Sequence, residues 1–263
     1  MAERLGRVLV IAGSDSGGGA GAQADIKTVT MLGGYAASAI TAVTVQNTLG
    51  VSDILKIDPA LVAAQARAVL EDIGADAIKI GMLGDAAAAV AEVLDAWPLI
   101  PVVLDPVMLA KDGTALAGGL ELLKSRLLPR AALLTPNAPE AAALTGLKVE
   151  TTDDLRRAGE ALLQAGVQAV LMKGGHIVGD TVVDILMTPG GETTFEGPRL
   201  DTRHTHGTGC TLASACAVGL AQGLILEAAV ARAWGYTAEA IRRAPGFGAG
   251  AGPLDHGWPL RRQ

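Results

Sequence analysis

Short apolar runs recur along this chain, and each breaks off at polar residues. Arg7–Ala12 gives way to Gly13-Ser14-Asp15, and Ala77–Ile80 carries Lys79. Val102–Leu104 stops at Asp105-Pro106, Leu133-Leu134 at Thr135-Pro136-Asn137, and Ala169–Met172 at Lys173-Gly174-Gly175. Helical patterns over 22–32, 59–73 and 85–96 separate the early runs, and two Ala-rich ones over 211–222 and 227–242 close the chain. Strands this short and apolar, interleaved with amphipathic helices, are strands of a parallel sheet buried on both faces. Such sheets bind ligands beyond the carboxyl ends of their strands, which is where the polar residues gather. Ala36–Val45 and Val51–Ile57 are strands of different character, and 181–187 with 193–196 reads as an antiparallel pair turning through Pro189-Gly190-Gly191.

With 263 residues, half of them hydrophobic, the chain suits one large α/β domain over 1–263, and no linker divides it. A net charge of −6 and 3% aromatic residues argue against a nucleic-acid surface and against stacking platforms. No apolar stretch approaches the roughly 18 residues of a membrane span. The start, MAERLGRVLVIAG, has too short an apolar run for a signal peptide and leads into glycines. Two cysteines, Cys210 and Cys216, are too few for a disulfide scaffold. Both features point to the cytoplasm.

Three segments could carry chemistry. Gly13–Gly21 holds five glycines in nine positions between a strand and a helix, so its backbone can approach a ligand closely. Gly17-x-Gly19-x-x-Ala22 fits a dinucleotide fingerprint only loosely, and the acidic partner about 20 residues on is missing. Thr205-His206-Gly207-Thr208-Gly209-Cys210-Thr211 opens a helix, where converging N–H groups and the helix dipole make an anion hole. A thiol there is expected to have a lowered pKa and to accept a proton from an alcohol. A buried structural Cys210, or a metal site from His204, His206 and Cys210, would use the same residues differently. Asn137 and Glu140, three apart after a strand end, could face a magnesium water shell or could simply cap a helix. Asp105 and Lys173 stand at strand ends, where Lys173 could meet a triphosphate.

In order, Ala12–Gly21, Gln23–Thr28, Thr41–Thr48, Lys79–Leu83, Leu104–Met108, Thr135–Asn137, Met172–His176 and Thr205–Thr211 resemble successive blocks of the bacterial hydroxymethylpyrimidine/phosphomethylpyrimidine kinases. The resemblance spans nearly the whole chain. It implies a ribokinase-like three-layer α/β/α fold with a mostly parallel central sheet and a small strand cover, which Ala36–Val45 and Val51–Ile57 would form. It implies two successive transfers from ATP, with Mg²⁺, to 4-amino-5-hydroxymethyl-2-methylpyrimidine and then to its monophosphate. Carried onto this sequence, Gln46 would hold the pyrimidine edge. Val45, Met82 and Val107 would line the ring, with Gly13 and Asp15 nearby. Gly207, Thr208 and Gly209 would form the anion hole and Cys210 would be the base. Asn137 and Glu140 would organise magnesium, and Lys173, with Asp105 and Asn137, would meet ATP. Covers of this superfamily often pair, so a homodimer is expected. Pyridoxine, pyridoxal or pyridoxamine phosphorylation is the competing activity within the lineage. A Rossmann-type oxidoreductase and a silent pyrimidine-binding protein are the competing classes outside it.

Overall fold

The computed structural model describes residues 5–107 and 119–261, so Met108 of the fifth block lies outside the described residues. Nine strands form one sheet in the order β3-β2-β1-β4-β5-β6-β7-β8-β9. They are β1 (Arg7–Ser14), β2 (Tyr35–Asn47), β3 (Gly50–Lys56), β4 (Ala77–Ile80), β5 (Val102–Leu104), β6 (Ala131–Leu134), β7 (Val170–Met172), β8 (Thr181–Thr188) and β9 (Gly191–Pro198). The six strands from β2 to β7 in this order run parallel, and β3, β8 and β9 are antiparallel additions at the two edges.

Alternation along β1 shows why helices must cover both faces. Leu9 and Ile11 enter one core with Val62, Val90, Leu94, Leu155 and Leu162. Val8, Val10 and Ala12 enter the other with Val29, Leu212, Val218, Val230 and Tyr236. Successive side chains of a strand point to opposite faces, so a strand apolar at every position needs a helix layer on each side. The first layer is α2 (Pro59–Asp72), α3 (Ala87–Ala96), a short α4 (Gly119–Leu122), α5 (Ala138–Thr145) and α6 (Thr152–Gln164). The second is α1 (Gly21–Met31), α7 (Thr208–Ala221) and α8 (Leu226–Arg242).

Three expectations need correction. β2 is not only a cover: its first part, Tyr35–Val43, lies parallel beside β1 inside the main sheet, and only 42–47 runs on to pair with β3. Helix α7 starts at Thr208, three residues before the apolar periodicity begins, because Thr208, Gly209 and Cys210 are only half-buried and the fully buried residues start at Thr211. Helix α6 was not anticipated, although Thr151 and Asp154 close a capping box at its start.

The chain leaves β1 toward β2 on one side and returns to β4 on the other, so the topological switch point lies at the carboxyl end of β1. A fully buried ion pair sits beneath it. Lys79 of β4 donates to both oxygens of Asp25 of α1, at 2.9 and 2.8 Å, and Ser214 of α7 donates to Asp25 at 2.7 Å. Burial opposes the Lys79 charge, but Asp25, with Cys210 and Asp105 adding, outweighs it and holds the ammonium above the ordinary lysine range. One network thus ties β4, α1 and α7 together. Removing one partner of a buried pair leaves an uncompensated charge. Lys79→Met is therefore expected to cost about 3–5 kcal/mol in urea unfolding, and Lys79→Met/Asp25→Leu to recover most of that loss. A single-variant cost below about 1 kcal/mol would contradict this account.

Candidate active site

The loop after β1 is organised by Asp15. Its carboxylate accepts N–H groups of Gly17 at 2.8 Å, Gly19 at 3.1 Å and Ala20 at 2.8 Å, and bonds His206 Nε2 at 2.9 Å. Burial alone would raise its pKa, but His206 and these amides outweigh that and hold the carboxyl below the ordinary aspartate range. Asp15 therefore folds this loop, with its oxygens committed within the protein.

The second glycine segment meets that loop. Gly207, the residue before α7, has φ of 85°, and a β-carbon on it would overlap the carbonyl oxygen of Gly19. Both the conformation and the space require glycine. The first N–H groups of a helix have no intrahelical acceptor. Thr208 directs its N–H and its hydroxyl to the Thr205 carbonyl, at 3.3 and 2.8 Å. Among the described residues, no acceptor is found for the amides of Gly207, Gly209 and Cys210. Of the expected Gly207, Thr208 and Gly209, only the Thr208 amide is taken up within the protein, and the Cys210 amide is open beside the other two.

These amides stand beside a cation. A β-carbon on Gly209 would lie 3.1 Å from Lys173 Nζ and 3.4 Å from Asp105 Oδ2. Lys173 donates to Asp105 at 2.9 Å, Thr135 donates to the same oxygen at 3.1 Å, and Glu140 lies 4.0 Å from the ammonium. The carboxyl ends of β5, β6 and β7 and the N-terminus of α7 therefore converge, as the strand-end pattern predicts. Asn137 and Glu140 form a full capping box on α5: Asn137 Oδ1 accepts the Glu140 N–H at 2.9 Å, and a Glu140 oxygen accepts the Asn137 N–H at 2.8 Å. One Glu140 oxygen and one Asn137 lone pair remain for a ligand.

A less charged lobe lies next to this one. Gly13 packs so closely on Met82 that a β-carbon there would collide with the thioether methyl. Thr41 donates to the Met82 carbonyl at 2.7 Å, and Thr44 to the Ser14 carbonyl at 2.8 Å. Gln46 lies with Thr44 on one face of β2 and reaches His206 at 3.2 Å. Val107 is half-buried just past Asp105. Val45 is not brought into this group: strand alternation turns it to the opposite face, where it is 59% exposed.

Cys210 differs from expectation. Burial raises its thiol pKa to about 11; Lys79 opposes that, and Asp25 and Asp105 add to it. The helix N-terminus does not make it a resting thiolate. Among the described residues no cluster of His, Cys, Asp and Glu could hold a metal ion alone, so the His204–His206–Cys210 metal site is discarded. Sequence reasoning missed the Asp15–His206–Gln46 connection and the Asp25–Lys79–Ser214 network. His206 had stood only as a metal-ligand candidate. The available signal for Lys79 was a lysine inside an otherwise apolar strand.

The model of the phosphomethylpyrimidine kinase family matches residues 15–255. The chain is 50% identical over 257 residues to a hydroxymethylpyrimidine/phosphomethylpyrimidine kinase of Streptomyces coelicolor, covering 96% of this chain and 95% of that one. Among solved structures, phosphomethylpyrimidine kinase of Clostridium difficile 630 superposes with a TM-score of 0.79 at 41% identity, covering 89% of this chain and 99% of that one. An ADP complex of Bacillus subtilis pyridoxal kinase superposes with a TM-score of 0.92 at 32% identity, covering 98% and 100%. The fold and the converging glycine segments thus occur in a chain that belongs to the phosphomethylpyrimidine kinase family.

Proposed function

We propose that this protein moves the terminal phosphoryl group of ATP to the hydroxymethyl oxygen of 4-amino-5-hydroxymethyl-2-methylpyrimidine, and a second one to the resulting monophosphate, in thiamine biosynthesis. The observation that carries this is the open amide turn of α7 beside Lys173, adjoining the lobe of Gly13, Met82 and Gln46. A phosphoryl group in flight carries charge on its outer oxygens, and catalysis consists mostly of positioning and of stabilising that charge. The amides of Gly209 and Cys210 and the Lys173 ammonium supply fixed positive ends for it, and Gln46 offers the donor and acceptor that an aminopyrimidine edge requires. The test is product analysis with magnesium, ATP and hydroxymethylpyrimidine, with pyridoxal as control. Mono- and diphosphate in sequence are expected; a phosphorylated pyridoxal alone would contradict the assignment.

The donor set fits a hard divalent ion. Glu140 is pushed up to about 7, chiefly by burial and with Asp105 adding, although Lys173 opposes the shift. An incompletely neutralised carboxylate beside a second one is a place where Mg²⁺ binds well through oxygen. When bound with ATP, magnesium would neutralise phosphate charge, held by Glu140 and Asn137 directly or through water. Without it, the raised pKa means that the folded protein holds this proton more tightly than the unfolded chain, where glutamate titrates near about 4.3. Wild-type stability should therefore fall as pH rises from about 5 through 7. Glu140→Gln keeps the cap acceptor and lacks this titration, so it should gain on wild type across that window in urea unfolding. Parallel profiles would contradict the assignment.

Cys210 acts as base through its small thiolate fraction, each thiolate being a strong base because of its high pKa. Cys210→Ala should keep substrate binding and lose about 10²–10⁴-fold in turnover. In the wild type, turnover limited by this step should rise with pH between 7 and 9, and the slope should vanish in the variant. Wild-type turnover in Cys210→Ala would remove the residue from the mechanism.

The β2–β3 hairpin supports a homodimer. Val43, Val45 and Leu55 are 46%, 59% and 67% exposed on one face of it, a concentration of apolar surface of the kind that association covers. Leu55→Glu should shift the mass measured by light scattering from two chains to one; a wild-type monomer would refute the pairing. A single domain in the cytoplasm is consistent with one continuous sheet and two free cysteines, and no helix among the described residues is long and apolar enough to cross a membrane.

A further inference from the structure

Counting protons around Gln46 assigns a role to His206. The Asp15 carboxylate already receives three backbone N–H groups, and an ionised carboxylate only accepts. His206 Nε2, 2.9 Å from the same carboxylate, must therefore carry its hydrogen and donate. As the amide is placed, Gln46 Nε2 lies 3.2 Å from His206 Nε2 and Oε1 faces Thr44, so the hydrogen-bond partners decide whether it must be turned over. An NH₂ there would set two donors face to face; turned over, the amide brings its oxygen there, where it shares the single Nε2–H with Asp15. The other end of the amide lies 3.2 Å from Thr44 Oγ1. The single proton of Thr44 is directed to the Ser14 carbonyl at 2.8 Å, so Thr44 can only accept from the amide. Amide oxygen and nitrogen are told apart by their hydrogen-bond partners. Both neighbours require the same orientation, oxygen toward His206 and NH₂ toward Thr44.

We propose that His206 is a specificity-determining positioning residue, which holds the Gln46 amide in this one orientation and so fixes which way round a heteroaromatic edge can dock. The assignment leaves one amide N–H and one carbonyl lone pair of Gln46 free. Side by side, they match a ring nitrogen adjacent to an exocyclic amino group. The reversed amide would interchange donor and acceptor and would turn the same edge over, swinging its hydroxymethyl arm away from α7. His206 immediately precedes Gly207, so one residue sets the ring's orientation and adjoins the amides that would receive the phosphoryl group. The proposal rests on Gln46 meeting the pyrimidine.

A double-mutant cycle tests it. His206→Leu should raise KM for hydroxymethylpyrimidine about tenfold, the scale of one hydrogen bond, and leave KM for ATP unchanged. His206→Gln, which keeps a donor, should restore most of the loss. In a Gln46→Leu background, His206→Leu should add no further increase, because the two act as one unit. An equal increase with and without Gln46 would overturn the coupling. Gln46→Leu with unchanged KM would instead overturn the substrate contact itself, and the proposal with it; the two failures differ in whether Gln46→Leu alone moves KM. Nitrogen NMR of the ¹⁵N-histidine-labelled wild type, which needs no variant to fold, should show a protonated Nε2 at His206. A bare Nε2 would refute the assignment.

Discussion

The carbonyl of Gly19 occupies the space that a side chain on Gly207 would need, so the loop after β1 and the start of α7 touch backbone to backbone. That contact fixes everything around it. It sets the first turn of α7 against the switch point of the sheet, and it brings His206 within reach of Asp15 and Gln46. It also holds Gly209 against Lys173. A substituent at either glycine would push the helix start away, and donors that depend on sub-ångström placement would lose their common target.

Around this contact the charges are arranged in two tiers. The lower tier, Lys79 with Asp25 and Ser214, is sealed from solvent and internally neutral, and it anchors three elements. The upper tier, Lys173 with Asp105 and Glu140, is reachable, and its Glu140 carboxyl pushed up to about 7 marks charge not fully compensated by the protein. A magnesium-bound polyphosphate would offer both signs of charge at once, so under the proposed function a chain of net charge −6 could hold an anion. Local amides and one lysine suffice where the global field is unfavourable.

Much of the fold was legible because burial on two faces leaves no freedom in composition: strands such as β1 and β5 had to be uniformly apolar, and their polar ends had to mark the site. Lys173, Asp105 and Asn137 were singled out on that signal, and the structure joins Lys173 to Asp105. The start of α7 was read three residues late because hydrophobic periodicity reports core contact, and the half-buried first turn carries little of it. Val45 was set against the ring by the family resemblance, which follows sequence order, whereas alternation turns it to the face opposite Thr44 and Gln46. The thiol of Cys210 was judged from the helix dipole alone; burial beside Asp25 and Asp105 cannot be seen in a linear sequence. Pairings across great sequence distance, such as Asp15 with His206, were equally invisible, since no local pattern encodes them.

The central claim is that the first turn of α7 receives the group being transferred. A crystal structure of the protein with hydroxymethylpyrimidine, magnesium, ADP and aluminium fluoride would test it most directly. The account predicts the fluoride group within about 2.7–3.1 Å of the Gly209 and Cys210 amides, with Lys173 alongside. A fluoride group held elsewhere, with those two amides bonded to water or protein, would contradict it.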